Sequence, residues 1–124
     1  MQWDFNSSAP VYLQITEQIK FCIAVGELKA GDKLMSVREL AAEAEVNPNT
    51  MQKALSGLEK EGLLYTQRTS GRFVTEDSVL IAKLREELAA EQVENFLKNM
   101  GKLGYSVSQA AEILKKFSDK KDEV

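Results

Sequence analysis

Apolar residues recur along the chain at helical spacing in five blocks, with one short alternating stretch between the third block and the fourth. Tyr12, Ile15, Ile19, Cys22 and Ile23, spaced by three, four or seven, predict a first helix whose core stripe follows Pro10 and ends near Gly26. Val37, Leu40, Ala41 and Ala44 predict a second, opened by Ser36 three residues before Glu39, a capping box in which each side chain satisfies the other's orphan backbone N–H. Met51, Ala54, Leu55 and Leu58 predict a third, with Asn47 as its cap, Pro48 at its first position and Gly62 at its end. Leu63 to Gln67 and Arg72 to Thr75 read as two strands around a turn from Arg68 to Gly71, and Lys33 to Met35 can supply a third short strand. Leu80, Leu84 and Leu88, then Val93, Phe96, Leu97 and Met100, mark a long helix from about Val79 to Met100, capped by Asp77 or Ser78 and broken by Gly101 and Gly104. A capping box of Ser106 and Gln109 opens a last helix expected to bury Val107, Ala110, Ala111, Leu114 and Phe117, before a charged, frayed SDKKDEV end. Trp3 and Phe5 are expected to pack as an N-terminal clasp.

The polar positions of the third helix carry the functional reading. At roughly 100° per residue, Asn49, Lys53, Ser56 and Lys60 lie opposite the apolar stripe, with Gln52 on the flank beside them. Asn and Gln can bond adenine's major-groove edge in bidentate fashion, Lys can bond guanine or phosphate, and Ser can bond either. Any solvated helix face is also polar, so the helix pair alone decides little. The hairpin that follows decides more, because a hairpin directly after a recognition helix is a wing. Arg68 and Arg72 flank its small polar tip, suited to a minor groove or to phosphates.

These residues also carry a resemblance. The stretch LKAGDKLMSVRELAAEAEVNPNTMQKALSGLEKEGLLYTQRTSGRFV resembles, along its whole length, the winged helix-turn-helix domain of GntR-type bacterial transcription regulators. The likeness rests on Gly31-Asp32, Leu34, the run Ser36 to Ala41, the run Val46 to Thr50, the run Leu58 to Gly62, and Phe73-Val74. It implies DNA-contacting roles for Ser36, Arg38, Asn49, Thr50, Gln52, Lys53, Arg68 and the tip Thr69, Ser70 and Gly71. Met35 stands where the family usually has Pro, and Thr69 where it usually has Gly. Some relatives carry Arg where this chain has Pro48 and Gln52, so their base preferences are not transferred.

The expected fold class is mainly α with a small β wing: a winged helix-turn-helix domain over residues 1–76, then a two-helix dimerisation tail over 77–124. Two such helices enclose little by themselves, so Leu80, Leu84, Leu88, Val93, Phe96 and Leu97 are expected at a homodimer interface. The short tail resembles that of the YtrA-like branch of the family, in which it dimerises. A metabolite pocket of several hundred Å³ is hard to enclose in so little chain, so no dedicated small-molecule effector is expected.

Composition narrows the field. With 124 residues, 44% of them hydrophobic, the chain suffices for one domain and a small appendage. It has no export leader and no apolar run near 20 residues, so a cytoplasmic protein without membrane partners is expected. Its single cysteine, Cys22, lies on an apolar stripe and reads as a buried thiol, and the lack of histidine removes the commonest general base and metal ligand. No phosphate-binding loop is present either, so neither enzyme activity nor a cofactor or metal is expected. The net charge of −3 argues against indiscriminate nucleic-acid binding, and points to a local basic surface that works usefully as a dimer. The reading is a sequence-specific homodimeric regulator, a repressor that occupies a double-stranded DNA operator. The alternative is a protein-interaction module built on the winged fold, against which the cations of the presumed DNA side, Lys53, Lys60, Arg68 and Arg72, speak.

Overall fold

Helix α1 (Val11–Val25) forms where its stripe predicts, and Ile15, Ile19 and Ile23 become fully buried. The structure, a computed structural model, describes residues 1–122. Ahead of α1 the chain is held by two glutamine amides acting as a surrogate strand: Gln18 exchanges two hydrogen bonds with the backbone of Asp4, and Gln14 two with that of Asn6. Trp3 stacks on Phe5 with ring centroids 6.0 Å apart, and its Nε1 donates to Glu43 Oε1 at 2.9 Å, which completes the clasp. Tyr12, expected in the core, is only half buried, because its ring lies at the edge of the α1–α3 contact.

Helices α2 (Val37–Ala44) and α3 (Pro48–Lys60) complete a three-helix core in which α3 packs against both of the others and against the first strand. Met51, Leu55 and Leu58 are fully enclosed. After Gly62, which takes the left-handed conformation (φ 80°) expected at a helix end, strands β1 (Leu64–Gln67) and β2 (Gly71–Val74) pair antiparallel, with Tyr65 opposite Phe73 and Thr66 opposite Arg72. Tyr65 and Phe73 stack at 5.6 Å, a cross-strand aromatic pair worth about 0.5–1.5 kcal/mol beyond its buried area. The expected third strand is reduced to a single bridge between Lys33 and Phe73. Backbone bonds do run from residues 31–34 to the outer edge of β2, such as Leu34 N to Arg72 O at 2.9 Å, but the chain turns into the cap of α2 at Ser36 before a strand can extend.

Helix α4 (Ser78–Lys102) is capped by Asp77, whose Oδ1 accepts from the backbone N–H groups of Val79 and Leu80. The chain divides into two compact units, Met1–Glu86 and the residues from Glu87 onward. The first includes the opening of α4, since Leu84 is 5% exposed and Arg85 Nε donates to Ala24 O at 3.0 Å. In the second unit α4 passes straight through Gly101, and the break falls at Gly104 alone (φ 92°). The Ser106–Gln109 capping box then opens α5 (Val107–Asp122). Ser118 to Asp122, expected to fray, are helical, while Glu123 and Val124 lie outside the described residues. Ala110 is buried as expected, but Val107, Leu114 and Phe117 are 66%, 56% and 66% exposed, because a pair of helices covers only the faces turned toward each other. Among the described residues no helix is long and apolar enough to cross a membrane.

Candidate nucleic-acid interface

The interface begins with the turn that sets α3 against α2. Glu45 adopts φ 58°, the left-handed conformation in a residue other than glycine, and the chain closes there through Glu45 N to Ala42 O (3.2 Å) and Val46 N to Ala41 O (2.9 Å). Asn47 then caps α3, its Oδ1 accepting from Asn49 N at 2.8 Å. At the start of α2 the capping box is formed in both directions: Ser36 Oγ accepts from Glu39 N, and Glu39 Oε1 accepts from Ser36 N, each at 3.2 Å. Among the described residues the Ser36 hydroxyl accepts but does not donate, so its proton is available to a further acceptor, and Arg38 beside it is exposed.

On α3, Asn49, Gln52 and Lys53 are exposed and Thr50 is half buried. Gln52 Nε2 donates to Ser56 Oγ at 2.9 Å, which orients its amide along the helix. The Lys53 ammonium rests 3.8 Å from the centroid of the Tyr12 ring, a cation–π contact that ties a side chain of α3 to α1. In the wing, Arg68, Thr69, Ser70 and Gly71 are all exposed, and Ser70 N closes the turn on Gln67 O. Thr69 is accommodated because the positive φ of this turn falls on Gly71 (φ 113°), where an added Cβ would also meet Lys33 Cε at 3.2 Å.

Arg72 is set apart from the other predicted contacts. Its Nε donates to Glu59 Oε1 at 2.7 Å, the same carboxylate oxygen accepts from the Thr66 hydroxyl, and the arginine side chain is 16% exposed. The Thr66 hydroxyl and then the guanidinium hold the Glu59 carboxyl below the usual carboxylate range, against a smaller opposing effect of burial.

Between wing and helices lies a groove of about 660 Å³, whose lining brings together Ser36, Gln52, Ser70, Gly71, Arg72 and Lys33. Lys33 is not among the predicted contacts: its alternation in a short strand is legible in the sequence, while its place beside the wing tip depends on the bridge to Phe73. Away from this surface, the Cys22 thiol donates to Glu27 at 3.4 Å, and burial first, then that carboxylate, pushes its pKa up to about 11. Such a thiol is protonated and inert near neutrality.

A helix pair with a tight left-handed turn, a second helix exposing amides and an ammonium, and a hairpin with a basic tip together define a winged helix-turn-helix DNA-binding regulator of transcription. More narrowly, the chain belongs to the gntR family of bacterial regulatory proteins, whose sequence profile matches residues 11–74. It is 40% identical over 119 residues to the uncharacterized HTH-type transcriptional regulator YhcF of Bacillus subtilis, an alignment covering 96% of this chain and 98% of that protein. To the HTH-type transcriptional repressor YtrA of the same organism it is 35% identical, over 95% of this chain and 92% of the relative. A GntR family transcriptional regulator from Listeria monocytogenes superposes with a TM-score of 0.82 at 43% identity, covering 90% of this chain and 98% of that one. The DNA-binding domain of AraR in complex with operator ORX1 superposes at TM-score 0.55 with 29% identity, over 60% of this chain and 96% of that domain.

Proposed function

We propose that the protein is a homodimeric repressor that occupies an operator through α3 and the wing, with the helices after Glu87 joining the two copies. The observation that carries this reading is the set of exposed polar groups on one winged unit: Asn49, Gln52 and Arg38 on the helix pair, with Arg68 and Ser70 at the wing tip. The operator-bound relative and the repressor among the relatives support it. In this reading Gln52 and Lys53 touch base edges or adjacent phosphates, Ser36, Arg38 and Thr50 fix α2 and α3 on the backbone, and the tip Thr69 to Gly71 follows the neighbouring groove. The exposed Val107, Leu114 and Phe117, with Val93, Phe96 and Leu97 of α4, supply the dimer contact. The mechanism requires no cofactor, metal or chemistry, only steric occupation of a promoter by a cytoplasmic protein.

The test is fluorescence anisotropy on duplexes from the DNA upstream of the protein's own gene and on scrambled duplexes, at several salt concentrations. Gln52→Ala or Lys53→Ala is expected to cost about 1–3 kcal/mol on the operator and to relax preference at particular base pairs. Arg68→Ala is expected to weaken binding to all sequences and to flatten the salt dependence by roughly one unit of slope. If all three variants stay folded and bind as the native chain does, the surface does not read DNA, and a protein-interaction module becomes the better account.

A further inference from the structure

The side chain that binds Arg72 belongs to the recognition helix, and it holds both strands of the wing at once. Thr66 on β1 and Arg72 on β2 stand opposite each other in the sheet, and both bond one carboxylate oxygen of Glu59. At 2.7 Å the Arg72 bond is a short charge-assisted contact, and both partners are largely shielded, at 16% and 30% exposure. Arg72 nevertheless lines the same groove as Lys33 and Ser70, on the face that the proposed function turns toward DNA.

We propose that Glu59 is a specificity-determining residue: it withholds the Arg72 charge from the DNA backbone and fixes the wing against the recognition helix. This rests on the DNA-surface reading above. Phosphate contacts carry no sequence information and strengthen binding to every duplex. A guanidinium neutralised by the protein's own carboxylate adds nothing to that indiscriminate affinity, which matters for a chain surrounded by competing DNA. The same bonds anchor the wing root to α3, so that the tip and the recognition helix approach the operator in a fixed relation, a gain that only the correct site can use. Glu59 thus depresses binding to any sequence while supporting binding to one.

The experiment measures dissociation constants against salt concentration for operator and scrambled duplexes. Glu59→Gln is expected to bind scrambled DNA several-fold more tightly, with a salt slope steeper by about 0.9, one added phosphate contact, and with a reduced ratio of operator to scrambled affinity. Arg72→Gln is expected to weaken operator binding through the loosened wing while its slope on scrambled DNA stays that of the native chain. In Glu59→Gln combined with Arg72→Gln the steepening should vanish. A slope lowered by about 0.9 in Arg72→Gln alone means that Arg72 already touches phosphate, and overturns the proposal. An unchanged slope in Glu59→Gln overturns it as well, and so does a steepening that survives in the double variant, which assigns the effect to the carboxylate's own repulsion. Arg68→Ala and Lys53→Ala run beside these as controls: if neither changes binding, the DNA-surface reading has failed and takes this proposal with it. Circular dichroism verifies the fold of each variant, and Arg72→Met, which likewise removes the charge, replaces Arg72→Gln if the latter unfolds.

Discussion

The winged unit and the helical tail obey the same spacing rule and end with opposite surfaces. In the first, the apolar faces of α1, α2 and α3 meet one another and the wing, so that Ile15, Ile19, Met51, Leu55 and Leu58 are sealed from solvent. In the second, Ala110 is the only fully buried apolar side chain among the described residues, and Val93, Leu103, Val107, Leu114 and Phe117 stand open. Periodicity reports that a helix has a face to bury. It does not report whether the same chain supplies the cover, which depends on how many elements are there to surround it.

The contrast is most directly broken through stability. Leu55→Ala is expected to cost the winged unit about 2–5 kcal/mol, the transfer term plus the cavity it leaves. Phe117→Ala, in dilute monomer, should cost less than about 0.5 kcal/mol, as an exposed position does. Urea denaturation followed by circular dichroism, which reports the helices of both units, compares the two, and equal losses would mean that the tail is as closed as the core. The complementary experiment replaces Leu114 and Phe117 together with Lys. Light scattering after size exclusion should show a dimer turned into monomers, with operator affinity lower by about a hundredfold as the second half-site's effective concentration is lost. A double variant that remains dimeric would remove α5 from the interface.

Within the winged unit the expected effects are smaller. Glu45→Gly should raise stability by about 1 kcal/mol, because glycine occupies φ 58° without the steric cost that an L side chain carries. A loss of stability on thermal unfolding would show that the Glu45 side chain has a role that outweighs its backbone. Cys22 gives the mildest effect. Its folded pKa, about 11, lies above the ordinary value of 9.0, so its contribution to stability is complete below about 9 and is lost as the pH rises toward 11. Labelling with iodoacetamide at pH 8 should therefore be slow in the folded chain and rapid in urea, and fast labelling of the native protein would contradict a closed core around α1.

Features that depend on near neighbours along the chain are legible from the residues alone. The boxes Ser36–Glu39 and Ser106–Gln109, the Asn47 cap with Pro48 behind it, and the turn of the wing each close within a few residues. Residues whose partners lie far along the chain fall on the expected element but in other surroundings. Arg72 sits on the wing as expected, but its carboxylate comes from thirteen residues earlier, and no periodicity announces that Glu59 turns toward the hairpin. Lys33 reaches the groove through a single bridge, and Tyr12 serves Lys53 rather than the core. Leu84, spaced as a dimer contact, is covered within its own winged unit. Thr69 departs from the family's usual glycine without strain, because the left-handed position of the turn lies two residues further on, at Gly71.

The Tyr12–Lys53 contact has a thermodynamic consequence. A lysine side chain fixed from full rotamer freedom loses about 1.5–2 kcal/mol of entropy, a cost that a freely moving cation incurs at the moment a ligand arrives. With its ammonium 3.8 Å from the Tyr12 ring centroid, Lys53 has surrendered part of that freedom during folding. In the proposed complex association then begins from an ordered cation, and the opposing entropy seen by calorimetry should be smaller for the native chain than for Tyr12→Leu, in which the same lysine is released and is ordered only on binding.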